Sequence, residues 1–147
     1  MENSSYSLKE KAEVVISDFE LYDDWMDRYQ YLVDLGATLE PITDSERCDS
    51  NLIRGCQSQV WLVCENRDGR VYYRGDSDAV IVRGVVALLV NVLSDCLVSE
   101  VANTDFDFID KIGLKEHLSP TRSNGLVAMM RVMRSYAMAV TNKNVML

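Results

Sequence analysis

The sequence predicts an α+β fold in which a small antiparallel sheet is packed with several helices. Three observations predict it. Helical periodicity is written into both ends of the chain, at residues 7–35 and 123–139. A strand–turn–strand signal occupies residues 60–74. An apolar run beginning at Ala79 follows it directly, interrupted only by Arg83 and Asn91 before Leu93. Helices at both ends around one hairpin are an α+β arrangement.

Each element has a local cause. Ser7-Leu-Lys-Glu10 is a capping-box pattern and opens the first helix, which Val14, Val15, Phe19 and Leu21 continue. Asp23 and Asp24 open a second helix. Its Trp25, Tyr29, Leu32 and Val33 fall at i, i+4, i+7 and i+8, one helix face, and Leu35-Gly36 reads as its stop. Residues 37–51 lack periodicity and read as a loop, with a short helical turn near 44–47. Residues 60–65 and 70–74 are strand-like, and Asn66-Arg67-Asp68-Gly69 between them is a hairpin turn signal. Gly75-Asp-Ser-Asp78 supplies oxygen acceptors for the start of an apolar helix expected over 79 to about 97. Short helical segments are expected at 99–101 and 106–111, the latter stopped near Gly113. The last helix is expected over 123–139, with Leu126, Met129, Met130, Met133 and Ala137 on one face. That stripe and Trp61 read as core. Loose chain is expected only in the first five residues and from about residue 141 onward.

Length and charge narrow the function. One domain spanning residues 1–147 is expected, large enough for a real core. A net charge of −8 argues against nucleic-acid backbones and against anionic lipid surfaces. The apolar run from Ala79 is shorter than the roughly 20 residues that span a bilayer. Met1-Glu-Asn-Ser-Ser5 shows neither a basic nor an apolar leader region, so the expected location is cytoplasmic. The four cysteines, Cys48, Cys56, Cys64 and Cys96, are accordingly expected to be reduced thiols.

Chemistry concentrates around Cys56. It lies where the long loop enters the first strand, and Gly55 before it lets the backbone take a conformation closed to other residues. A cysteine at a loop tip can reach into another protein's active site, whereas one on a helix face cannot. Arg54 is placed to favour the thiolate, the form that attacks sulfur. Gln57, Ser58 and Gln59 offer donors for a sulfur anion. Spacing alone leaves open whether Cys56 is a nucleophile or a small buried hydrophobe.

The segment Gly55-Cys-Gln-Ser-Gln-Val-Trp61 resembles the signature of the SufE/CsdE family of sulfur-acceptor proteins. Two further blocks agree in order and separation: Gly75-Asp-Ser-Asp-Ala79 with Ile81-Val-Arg-Gly84, and His117-Leu-Ser-Pro-Thr-Arg-Ser-Asn-Gly125. The resemblance runs from about Ile16 to Tyr136. It implies a fold like that of the IscU-type scaffold and an acceptor of persulfide sulfur at Cys56. The implied donor is a pyridoxal-phosphate cysteine desulfurase of the SufS/CsdA kind, which the acceptor stimulates, and the implied recipient is an iron–sulfur scaffold. No cofactor of the chain's own and no metal are implied. Asp76, Asp78 and Arg122 match the remaining family motifs, with Arg54 at a position where relatives vary. Cys48, Cys64 and Cys96 lie outside the signature.

The other candidates have ordinary readings. Asp76 and Asp78 are helix caps by default. Arg122 near a helix N-terminus opposes the helix dipole, so it is expected to pair with a carboxylate, Asp78 first, or to contact the partner. His117 reads as structural or solvent-facing, Cys64 as a buried strand residue in phase with Val60 and Leu62, and Cys96 as helix packing. Two rival functions remain: an iron–sulfur scaffold holding its own cluster, and a stand-alone thiol enzyme, which needs a base beside Cys56.

Overall fold

The computed structural model describes residues 6–146, with the side chains of 142–146 left aside. The expected looseness of residues 1–5 lies outside the described residues. The elements run α1 (Leu8–Glu20), α2 (Trp25–Gly36), β1 (Val60–Arg67), β2 (Arg70–Ser77), α3 (Val80–Leu93), β3 (Cys96–Leu97), α4 (Val98–Ala102), α5 (Asp107–Ile112) and α6 (Pro120–Met146), with 3-10 turns at Asp49–Asn51 and Lys115–His117. The architecture is α+β: one three-stranded antiparallel sheet, order β1-β2-β3, packed with helices.

The local signals act as their chemistry dictates. Ser7 and Glu10 cap α1 reciprocally, at 3.1 Å and 2.8 Å. Asp24 caps α2 by accepting from the Asp27 amide at 3.0 Å. Asp68 and Gly69 both take positive φ, 53° and 81°, which joins β1 to β2 by the tight turn whose twist suits a hairpin. Val60 pairs with Ser77 and Arg67 with Arg70, so the ladder extends beyond the predicted strands at both ends.

The inner face of the sheet carries Val60, Leu62, Val71 and Tyr73, all buried. Tyr73 also donates its hydroxyl to the Met133 carbonyl of α6 at 2.7 Å, fixing the sheet to the last helix. The predicted stripe of α6 is fully inside, with Leu126 and Ala137 at 0% exposure. α3 is buried on most of its circumference and packs on α2 and β2.

Tertiary structure overrides several local expectations. The apolar helix ends at Leu93, not near 97, because Asp95 turns through φ 58° and Cys96–Leu97 pair with Arg70 and Val71 as β3. Cys96 is therefore buried on a strand rather than on a helix. α2 does end at Gly36, as expected, but without a left-handed turn, since Ala37 follows in right-handed conformation. The glycine serves close packing instead: a Cβ on Gly36 would lie 2.9 Å from the Gly84 nitrogen, and one on Gly84 would lie 2.3 Å from the Leu32 carbonyl oxygen. Trp61 is not core. Strand alternation turns it to the outer face, half-buried and opposite Asp76, while Val60 and Leu62 point inward. α6 starts at Pro120, with Ser119 accepting from the Arg122 amide at 3.3 Å, and continues to Met146, past the expected end at 139 and through the stretch expected to be loose.

Candidate functional site

Cys56 sits on a short excursion closed at its base like the mouth of a hairpin. Leu52 bridges to Trp61, and the Ile53 amide donates to the Val60 carbonyl at 2.8 Å. Gly55 takes φ +95°, a conformation that side chains resist, and this turns the chain so that Cys56 points inward toward α6. The thiol is half-buried and donates to the Gly125 carbonyl at 3.6 Å. Gly125 makes room for it: a Cβ there would stand 3.3 Å from the Cys56 sulfur.

A cavity of about 320 Å³ opens beside the thiol. Val82 of α3 and Met129 of α6 give it an apolar wall. Gln57, Ser58, Ser119, Thr121 and Arg122 give it a polar rim. Burial pushes the Cys56 thiol above its ordinary range. In this position the sulfur faces a carbonyl oxygen, which accepts from S–H and would repel S⁻, so the withdrawn state favours the protonated thiol. Among the described residues, no His, Asp or Glu lines the cavity, so none of them places a side-chain base at the sulfur.

The other predicted residues divide by place. Gln57 and Ser58 share the cavity with Cys56, as does Arg122 from the first turn of α6. Arg54 is exposed and pairs with nothing among the described residues; burial alone sets the shift of the thiol. Gln59 is held by its backbone: its amide donates to Asp78 Oδ1 at 3.1 Å, and its carbonyl accepts from the Ser77 hydroxyl at 2.8 Å and the Asp78 amide at 3.3 Å. The expected capping by Asp76 and Asp78 does not occur. α3 begins at Val80, after Ala79 and without a side-chain cap, because both acids are still engaged with the sheet and the Cys56 loop. The expected Asp78–Arg122 pair is also absent, since Asp78 faces the Gln59 amide and Arg122 forms no ion pair among the described residues.

Asp76 is a different kind of carboxylate. It accepts from Arg47 at 2.7 Å, from Arg83 at 2.9 Å and from the Ser77 amide at 2.8 Å. Burial would raise its carboxyl, but the Arg47 and Ser77 hydrogen bonds and the Arg83 charge together hold it below the usual carboxylate range.

All four cysteines are free thiols. Cys48 opens the 3-10 turn and meets the Ser50 hydroxyl at 3.1 Å, which lowers its pKa. Burial pushes Cys64 up to about 12 and also raises Cys96. His117 stacks on Trp25 with ring centroids 3.9 Å apart and bonds the Gly113 carbonyl through Nδ1 at 2.9 Å. Its own carbonyl accepts from the Tyr29 hydroxyl, a structural set of contacts. Among the described residues, no group of three or more His, Cys, Asp or Glu side chains is arranged to hold a metal ion. No helix among them is long and apolar enough to cross a membrane.

Sequence reasoning missed the cavity wall. Val82, Ser119, Thr121, Gly125 and Met129 come from α3 and the start of α6, remote in sequence from Cys56. Val82, Ser119, Thr121 and Gly125 stood inside the family-like blocks, but nothing in one dimension told that they meet at Cys56 or that the absent side chain of Gly125 makes space for a sulfur.

The chain resembles an uncharacterised SufE-like protein of Rhizobium meliloti (strain 1021) at 42% identity over 128 residues, 84% of this chain and 91% of that one. A second uncharacterised SufE-like protein, from Rhizobium etli, is 43% identical over 128 residues, 84% of this chain and 86% of that one. The solution structure of a hypothetical protein from Thermus thermophilus shares the fold with a TM-score of 0.75 at 19% identity, covering 90% of this chain and 96% of that one. The SufE family model, described as an Fe-S metabolism associated domain, matches residues 13–137, and with this loop, cavity and sheet the chain belongs to the SufE family.

Proposed function

We propose that this protein accepts persulfide sulfur on Cys56 from a cysteine desulfurase of the SufS/CsdA type, stimulates that enzyme, and relays the sulfur to an iron–sulfur scaffold. The observation that carries the reading is the withdrawn thiol on its glycine-hinged loop, backed by a cavity large enough for one more sulfur atom. Membership in a family associated with iron–sulfur metabolism supports the same assignment.

The chemistry is that of thiol–disulfide exchange. The desulfurase carries Cys–S–SH. Cys56 gives up its proton on leaving the cavity, and its thiolate attacks the outer sulfur. A new S–S bond forms to Cys56 as the donor S–S bond breaks, and the donor cysteine leaves as thiolate. Oxidation level is conserved, because one sulfane sulfur changes hands. Clearing the donor cysteine frees the enzyme for another turnover, which is how an acceptor stimulates without performing pyridoxal-phosphate chemistry itself. Back in the cavity, Val82 and Met129 shield the new persulfide from reductants and oxidants that would discharge it.

The test uses the whole chain with a cysteine desulfurase, cysteine and pyridoxal phosphate. A gain of about 32 Da on the Cys56 peptide is expected, one sulfur atom, together with faster desulfurase turnover. Cys56→Ser should abolish both. Sulfur uptake at the normal rate by Cys56→Ser would end the assignment.

A further inference from the structure

Two arginines outside the cavity reach one carboxylate from different elements. Arg47 Nη2 lies 2.7 Å from Asp76 Oδ2, and Arg83 Nε lies 2.9 Å from Asp76 Oδ1. Arg47 belongs to the turn that precedes the Cys56 loop, where it also donates to the Ile42 carbonyl at 3.0 Å. Arg83 follows Val82, a wall residue of the cavity, and also donates to the Ser77 carbonyl at 3.1 Å.

Their shared target ties both limbs of the loop. On the incoming limb, Asn51 donates to the Glu46 carbonyl at 2.9 Å beside Arg47, and Leu52 then bridges to Trp61, the residue opposite Asp76. On the outgoing limb, Ser77 and Asp78, next in sequence to Asp76, grip Gln59. Side-chain exposures of 31% for Arg47, 19% for Asp76 and 41% for Arg83 leave this clamp partly screened by water. Such pairs bias a loop without locking it.

We propose that Arg47 and Arg83 are positioning residues for Cys56: holding Asp76 between them, they fix both limbs of the loop so that the thiol rests in its cavity, and a docked partner must loosen this clamp to draw the sulfur out. The role in sulfur transfer rests on the acceptor reading, while the effect on the thiol is measurable without any partner.

Neighbouring Glu46 provides the control. Its side chain, the part that Glu46→Gln changes, anchors the same segment to β2 through Arg74 at 2.6 Å and 2.9 Å without touching Asp76, and its carbonyl, which holds Asn51, is kept in that variant. Alkylation of the Cys56 peptide by iodoacetamide, followed by mass spectrometry from about pH 7 to 10, reads the position of the thiol. Arg47→Gln and Arg83→Gln should each speed alkylation on the order of threefold, the weight of one partly screened ion pair. Each should also move the midpoint of the pH profile down toward the ordinary thiol value of about 8.5. Glu46→Gln should leave both as in the parent protein. Parent-like rate and midpoint in both arginine variants would overturn the proposal. So would an equal increase in Glu46→Gln, since that is general loosening rather than positioning. If the parent protein gains no sulfur from a desulfurase while the arginine variants still alkylate faster, the acceptor reading fails and the positioning of the thiol stands.

Discussion

At the scale of single residues, the site depends on a side chain that is missing. Gly125 lies within α6, where alanine is the better helix former by about 1 kcal/mol. A methyl group there would meet the Cys56 sulfur at 3.3 Å, closer than such contacts usually sit, and the sulfur is on a loop that can give way. Gly125→Ala should therefore separate stability from reactivity. Its urea midpoint should hold or rise, while Cys56 alkylation at mildly alkaline pH should quicken as the thiol is pressed toward solvent. A lower midpoint with unchanged alkylation would show that Gly125 serves helix packing and not the thiol. Cys64 illustrates the opposite case. Its sulfur is on the inner face of β1, and its pKa, pushed up to about 12 by burial, makes it inert at neutral pH.

At the scale of elements, α2 and α3 meet backbone to backbone. Gly84 brings the backbone of α3 against that of α2, where an added Cβ would stand 2.3 Å from the Leu32 oxygen and 2.6 Å from the Leu32 carbonyl carbon. Backbone cannot yield as a flexible side chain does, so the helices would have to separate. Gly84→Ala should lower unfolding free energy by about 3 kcal/mol, the upper part of the range for overpacking, despite alanine's better helix propensity. Chemical denaturation checks this, and a loss below about 0.5 kcal/mol, the scale of neutral surface changes, would contradict the packing account. The displaced helix carries Val82 and Arg83, so the same substitution should also disturb the wall of the Cys56 cavity. The hairpin turn at Asp68–Gly69, by contrast, follows local backbone preference.

At the scale of the whole molecule, thiols whose pKa is raised by burial should make the fold less stable in alkali. Cys64 at about 12, with Cys56 and Cys96 also raised by burial, keeps its proton in the folded state while an unfolded thiol loses it near pH 8.5. The neutral form is favoured by folding, so this stability is complete below about pH 8.5 and falls as pH rises toward the folded-state values. Each such thiol contributes a slope of at most about 1.4 kcal/mol per pH unit within its window. Urea midpoints should therefore decline from about pH 8.5 upward, and Cys64→Ala should make the decline shallower. An unchanged slope in that variant would show that Cys64 is solvated in the folded protein.

Much of this molecule was legible before its structure. The capping box at Ser7, the hairpin turn at Asp68–Gly69 and the stripe from Leu126 to Ala137 depend on residues a few positions apart, and local sterics and periodicity decide them. The glycine hinge at Cys56 was legible for the same reason. β3, the glycine contact of α2 with α3, the outward turn of Trp61, the residues that wall the cavity behind the thiol and the Arg47–Asp76–Arg83 clamp were not. Each depends on where a distant segment comes to rest. A strand as short as Cys96–Leu97 exists only because the edge of β2 is there to pair with it, and Asp76 became a bridge instead of a cap only when Arg47 and Arg83 were brought to it. Sequence determined which residues turn and coil and which loop carries Cys56, because those are properties of the chain at short range. Tertiary structure alone decided which surfaces enclose that thiol, because enclosure is made by atoms that no sequence spacing connects.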